Sequence, residues 1–187
     1  MRFIGIVILI LNGIIFGQEM AFFQEDITFR IDNEYFQVDG FYWFSNKSGK
    51  RLEKSIYFPF GNSPHSKAID SINVLNISKN TTADIINLSG RGFSFLLEVA
   101  PGDTEVYRIR YREELTCDSA RYILTSTRRW NKPLEQAEYK LIVSGGVEIT
   151  GFSIEADRIY GIDGERIYYW KRKEFMPEND MIFHFEK

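Results

Sequence analysis

A chain of 187 residues with a single cysteine, Cys117, cannot close an internal disulfide, so its stability must come from packing, for which 16 Phe, 10 Tyr and 3 Trp are the obvious means. Its formal net charge of −3 argues against a nucleic-acid partner, which normally brings a basic balance.

The N-terminus is read first. Met1-Arg2 is followed by an apolar run from Phe3 to Phe16, broken only by Asn12, and Gly17 ends it before Gln18 and Glu19. A charged start, a short apolar centre and a small residue at the exit are the parts of a secretory signal peptide, and the run falls short of the ~20 apolar residues of a spanning helix. The expectation is a signal peptide over 1–17 and one domain over 18–187, secreted or periplasmic at the cell envelope, with no stable membrane anchor after leader cleavage. No cysteine lies just beyond the leader to carry a lipid. About 170 residues remain, enough for one domain with its own core.

Nearly every later segment has a period of two, which predicts strands. Ile27, Phe29 and Ile31 alternate with Thr28 and Arg30 before the Asp32-Asn33 turn. Tyr35 to Phe44 is apolar on both faces near Phe41-Tyr42-Trp43-Phe44, as in a strand covered on both sides. After Asn46-Lys47-Ser48-Gly49, Leu52 to Phe60 is a strand stopped by Pro59 and Gly61, and Ile69 to Leu75 and Ala83 to Leu88 are shorter ones. Phe93, Phe95, Leu97 and Val99 alternate up to the turn Pro101-Gly102-Asp103. Tyr107, Ile109 and Tyr111 then alternate with Arg108, Arg110 and Arg112. This amphipathic pattern predicts a core face of Tyr and Ile and a solvent face of Arg. Tyr122 to Ser126, Glu138 to Ser144 and Val147 to Ile154 follow as strands, with one helical turn at Pro133 to Ala137. Asp163-Gly164 is the favoured two-residue hairpin signal between Arg158-Ile159-Tyr160 and Arg166 to Trp170, and Met181, Phe183 and Phe185 close the chain. The fold class is all-β: an antiparallel β-sandwich of roughly ten strands, preceded by a signal-peptide helix.

One stretch, Phe41 to Pro133, carries a resemblance. Phe44-x-Asn46 leads through Leu52-Glu53 to Tyr57-x-Pro59-Phe60. Phe95-Leu96-Leu97-Glu98 then leads to Pro101-Gly102-Asp103-Thr104-Glu105 and Tyr107-x-Ile109-x-Tyr111. The succession resembles the vault/inter-α-trypsin (VIT) type of β-sandwich. It is similar also to secreted bacterial domains of unknown function with a related opening, where Tyr122-x-Leu124-x-Ser126 and Trp130-x-x-Pro133 hold the later positions. The resemblance implies a β-sandwich, a bacterial source and no catalytic residue.

Reactive chemistry has little local signal. His65, His184 and Cys117 are scattered, without the close spacing of a metal site, so no metal or other cofactor is expected. No Gly-x-Ser-x-Gly nucleophile elbow occurs, and Cys117 reads as a small buried side chain or an inert thiol at a strand end. Ser89-Gly90-Arg91-Gly92 and Ser144-Gly145-Gly146 open no helix and read as turns. Glu113-Glu114 and Glu178-x-Asp180 are the nominal carboxylate pairs, and a solvated turn is the plainer reading of each. Asn46, Asn76, Asn80 and Asn87 begin glycosylation sequons, which matter only in a eukaryotic secretory route.

Surfaces offer more. Arg108, Arg110 and Arg112, about 7 Å apart along a strand face, could grip an anion, or pair with acids across the sheet. Trp130 and Trp170 stand beside cations and would stack on sugars if exposed, or join the core if buried. The expected function is an exported, non-enzymatic binding or assembly protein whose partner is an envelope protein or polysaccharide. The alternatives are a carbohydrate-binding module using Trp130 or Trp170, and a hydrolase with a carboxylate pair the sequence does not locate.

Overall fold

The computed structural model describes residues 19–61, 70–144 and 146–187. The expected leader, His65 and the start of the Ile69 strand lie outside them. The fold is all-β, with fourteen strands among the described residues rather than roughly ten. In chain order these are β1 (Met20–Ile31), β2 (Tyr35–Asn46), β3 (Leu52–Pro59), β4 (Asp70–Asn76), β5 (Thr81–Thr82), β6 (Ile85–Ser89), β7 (Gly92–Val99), β8 (Thr104–Glu114), β9 (Ser119–Tyr122), β10 (Leu134–Val143), β11 (Glu148–Phe152), β12 (Arg158–Ile162), β13 (Glu165–Phe175) and β14 (Met181–Glu186).

Eight strands make one large sheet in the order β12-β13-β10-β1-β2-β8-β4-β5. Its pairs are antiparallel except β1 with β10, which run parallel from Gln24↔Gln136 to Ile31↔Val143. Two three-stranded sheets, β11-β14-β9 and β3-β7-β6, lie over its inner face. Aromatic rings join the layers. Phe183 of β14 meets Phe29 at 5.3 Å and Trp170 at 6.1 Å between centroids, while Phe58 of β3 meets Tyr42 at 5.8 Å and Tyr111 at 5.7 Å. These separations suit edge-to-face and tilted ring packing.

The alternation seen in sequence decides which face each strand buries. Along β8, Tyr107, Ile109 and Tyr111 are buried, whereas Arg108, Arg110 and Arg112 stand on the outer face. β2 departs from the expected double cover: Phe36, Val38, Tyr42 and Phe44 are buried, but Phe41 and Trp43 on the outer face are only half-buried. What shields them there is side chains of their own sheet, including Arg108 over the Phe41 ring at 5.3 Å. The Asp163-Gly164 hairpin forms as expected, with φ of 50° and 84°, the positive pair of a type I′ turn.

Two segments exchange their expected structures. Tyr122 to Ser126 is not a strand: β9 ends at Tyr122, and Thr125–Trp130 is a 3₁₀ helix. The buried Asp180 carboxylate accepts from the Thr125 amide at 3.0 Å and its hydroxyl at 2.7 Å, satisfying groups a ladder would otherwise need. Pro133 to Ala137 is not a helical turn, because Leu134 and Ala137 are buried in β10, with β13 on one side and β1 on the other.

Asn46, the end of the Phe44-x-Asn46 motif, proves to be a staple. Its side-chain amide donates to the carbonyls of Lys50 at 2.8 Å and of Val99 and Ala100 at 3.0 Å, tying β2 to the turn before β8. It and Asn76 are buried in the fold, whereas Asn80 and Asn87 are exposed.

Candidate functional site

The upper layer is split, and the split makes a cleft. Just past β3, Gly61 touches β9 so closely that a Cβ there would lie 1.5 Å from the Arg121 carbonyl oxygen. Only glycine permits that approach. Beyond the contact the chain leaves β9 for the 3₁₀ helix, and between this helix and β3 a cleft of about 210 Å³ remains. Phe22, Phe44 and Ile109 of the large sheet form its apolar floor, Ile56 and Phe58 one wall, and Trp130 the other. The Trp130 ring rests on Phe22 at 5.9 Å and Phe44 at 5.6 Å.

Polar groups are set into this floor. Glu25 lies on the same face of β1 as Ile27, Phe29 and Ile31 and is 2% exposed. Burial raises its carboxyl from 4.5 to about 7, although the Tyr139 hydroxyl, which donates to it, pulls the other way. Beside it the Tyr42 and Tyr122 hydroxyls share a hydrogen bond of 2.8 Å. Burial, with the negative charge of Glu25 adding to it, holds Tyr42 well above its usual 10.0. Burial, Tyr42 and Glu25 act the same way on Tyr122. Tyr42 leans back over Gly40, where a Cβ would fall 2.5 Å from its hydroxyl oxygen. At the rim, Lys54 places its ammonium 4.4 Å from the Trp130 ring centre and Arg129 is exposed. Neither has an ion pair among the described residues.

The residues singled out from sequence fall elsewhere, apart from Trp130. Trp170 is fully buried against Phe152 and Phe183 and donates its indole N–H to the Ile154 carbonyl at 2.9 Å, so its ring cannot stack on a sugar. The arginine row is on the outer face, away from the cleft. Arg108 grips Asp39 through Nε at 2.7 Å and Nη2 at 2.5 Å, and Arg112 lies 4.1 Å from the Tyr35 ring centre. Arg110 is exposed, and with Arg30 and Arg112 it lines an open polar hollow of about 800 Å³. Cys117 is exposed rather than buried, its thiol 3.4 Å from the Ser119 carbonyl oxygen.

Neither nominal carboxylate pair faces across a cleft. Glu113 is buried and Glu114 exposed, on opposite faces of β8. Asp180 is held by Thr125 and Arg121 while Glu178 is exposed. Among the described residues no cluster of three or more His, Cys, Asp or Glu could hold a metal ion. Sequence reasoning missed Glu25 and Lys54, and met Arg129 only as one of the cations beside Trp130. For Glu25 a signal existed: it keeps the parity of Ile27, Phe29 and Ile31, an acid on the buried face of a strand.

No protein-family model matches the chain. No curated protein matches it either. Among solved structures it is similar to a protein from Legionella pneumophila described as a "putative nutrient binding protein", at 16% identity and a TM-score of 0.69, covering 89% of this chain and 67% of that one. It is similar also to an M1 zinc metallopeptidase from Deinococcus radiodurans, at 10% identity and a TM-score of 0.52, covering 90% of this chain and 43% of the peptidase. A mutant form of that peptidase gives 0.51, 10%, 89% and 42%. The chain thus spans less than half the peptidase's length, and at these identities the likeness is one of fold.

Proposed function

We propose that this protein is an exported, non-enzymatic β-sandwich that works by binding a small organic ligand in the cleft between β3 and the 3₁₀ helix. The observation that carries the reading is the cleft itself: an apolar, aromatic-walled concavity with a few buried polar groups, the usual anatomy of a small-molecule site. The description given to the Legionella structure supports binding, and the apolar leader of Met1 to Gly17 supports export. At about 210 Å³ the cleft is below the ~300–1,000 Å³ of drug-sized pockets, which favours a compact ligand over a sugar chain. An extended carbohydrate platform would need several exposed rings, and Trp170 is not one of them.

The test is a thermal-shift screen of small organic molecules against the folded protein, with calorimetry on the hits. Single-site binding that weakens at least about tenfold in Trp130→Ala is expected, since the indole forms one whole wall. Hits indifferent to that change would move the site elsewhere. Turnover of a peptide or polysaccharide, abolished by replacing one carboxylate, would overturn the non-enzymatic reading.

A further inference from the structure

The cleft is electrostatically lopsided. Its lining is mostly apolar, with the hydroxyls of Ser55, Ser126 and Thr127 set into the walls; its acid is sunk at the bottom, and the charges at its mouth are both positive: Lys54 on β3 and Arg129 on the 3₁₀ helix. Elsewhere the cations near buried acids are matched. Arg121 pairs with Asp180 and Lys79 with Glu105, and on the outer face Arg108 pairs with Asp39. At the rim no such partner stands among the described residues, and the Lys54 ammonium is aimed over the Trp130 ring at 4.4 Å, so both cations border one opening. A guanidinium and an ammonium so placed suit a carboxylate, and charge-assisted hydrogen bonds are the stronger kind.

We infer that the cleft takes a small amphipathic organic acid, its apolar body laid against Phe22, Phe44 and Trp130 and its carboxylate held at the mouth by Lys54 and Arg129. This rests on the cleft being the ligand site, and it adds the ligand's chemical class and orientation. The acid group must point outward. Glu25 on the floor, when ionised, repels a second anion, and the groups that face it from β10, β2 and β9 are the neutral hydroxyls of Tyr139, Tyr42 and Tyr122. Only the two rim cations offer countercharge, so a carboxylate seated deep would lose both of them.

The experiment is calorimetric titration of the folded protein with 4-phenylbutyrate and with its neutral isostere 4-phenylbutanamide, at pH 6 and pH 8. At pH 6 the acid should bind at least about tenfold more tightly than the amide, the scale of a hydrogen bond to a charged group. The Lys54→Met/Arg129→Gln variant should lose that advantage and keep its affinity for the amide. Both residues are exposed, so the fold should tolerate the change. Raising the pH to 8 should weaken the acid severalfold as Glu25 ionises, leave the amide unmoved, and have no such effect in Glu25→Gln. Equal binding of acid and amide, both weakened by Trp130→Ala, would overturn the anion inference and leave the cleft reading standing. Binding of neither probe, or binding of both untouched by Trp130→Ala, would overturn the cleft reading with it.

Discussion

Burial keeps the Glu25 carboxyl protonated up to about pH 7, whereas the same group in an unfolded chain loses its proton near 4.5. Its folded value is the higher one. The stability it contributes is therefore fully present below 4.5 and is lost as the pH rises through 7, an effect of about 3 kcal/mol at ~1.4 kcal/mol per unit. Asp180 does not oppose it in that window. Burial pushes Asp180 up, but the Thr125 hydroxyl and amide and Arg121 outweigh burial and hold it below the usual carboxylate range. Denaturant midpoints taken from pH 5 to pH 8 should fall, and Glu25→Gln should flatten the slope; a slope unchanged in the variant would show that another group sets it. Next to Glu25, Gly40→Ala should push the Tyr42 hydroxyl off Tyr122 and cost ~1–3 kcal/mol, read from the same midpoints, because two buried hydroxyls would lose their partner.

Strands were the legible elements, because their two-residue period is written directly in the side chains. Arg108, Arg110 and Arg112 stand outside and Tyr107, Ile109 and Tyr111 inside for that reason alone, and Asp163-Gly164 needed only local turn chemistry. What stayed illegible depends on partners distant in sequence. The 3₁₀ helix over Thr125–Trp130 owes its start to Asp180, and the strand at Leu134 owes its backbone partners to β1 and β13. The cleft was hidden for the same reason: its lining is gathered from β1, β2, β3, β7, β8, β9 and the 3₁₀ helix, with β7, β8 and β9 giving one residue each, and no segment looks like a site by itself. Ile109, on its floor and 1% exposed, should cost ~2–5 kcal/mol when cut to alanine, measured by chemical denaturation. The outermost strand of the large sheet behaves oppositely. Ile159 and Ile162 of β12 are 61% and 52% exposed on an open edge, so Ile159→Lys/Ile162→Lys should leave stability within ~0.5 kcal/mol. The variant should also show less self-association on sedimentation.

At the scale of the whole molecule, cohesion comes from rings meeting between layers, with no covalent bridge inside the chain. The melting temperature should accordingly be the same with and without reductant, and Cys117→Ser should cost ~1 kcal/mol or less; a reductant-dependent shift would reveal a bond between chains. The single parallel pairing described for the large sheet bears on time rather than strength. β1 is flanked by β2, which the ribosome delivers at once, and by β10, which it delivers only after most of the chain has been made. Until Leu134–Val143 emerges, β1 keeps one side of its backbone unpaired in what becomes the middle of the sheet. Closing that gap joins residues remote along the chain, which places refolding among slow all-β domains, on the order of milliseconds to seconds. A chain stopped at Trp130 should stay protease-sensitive, and a nascent chain should stay unfolded until late in synthesis, so that folding follows translation instead of accompanying it.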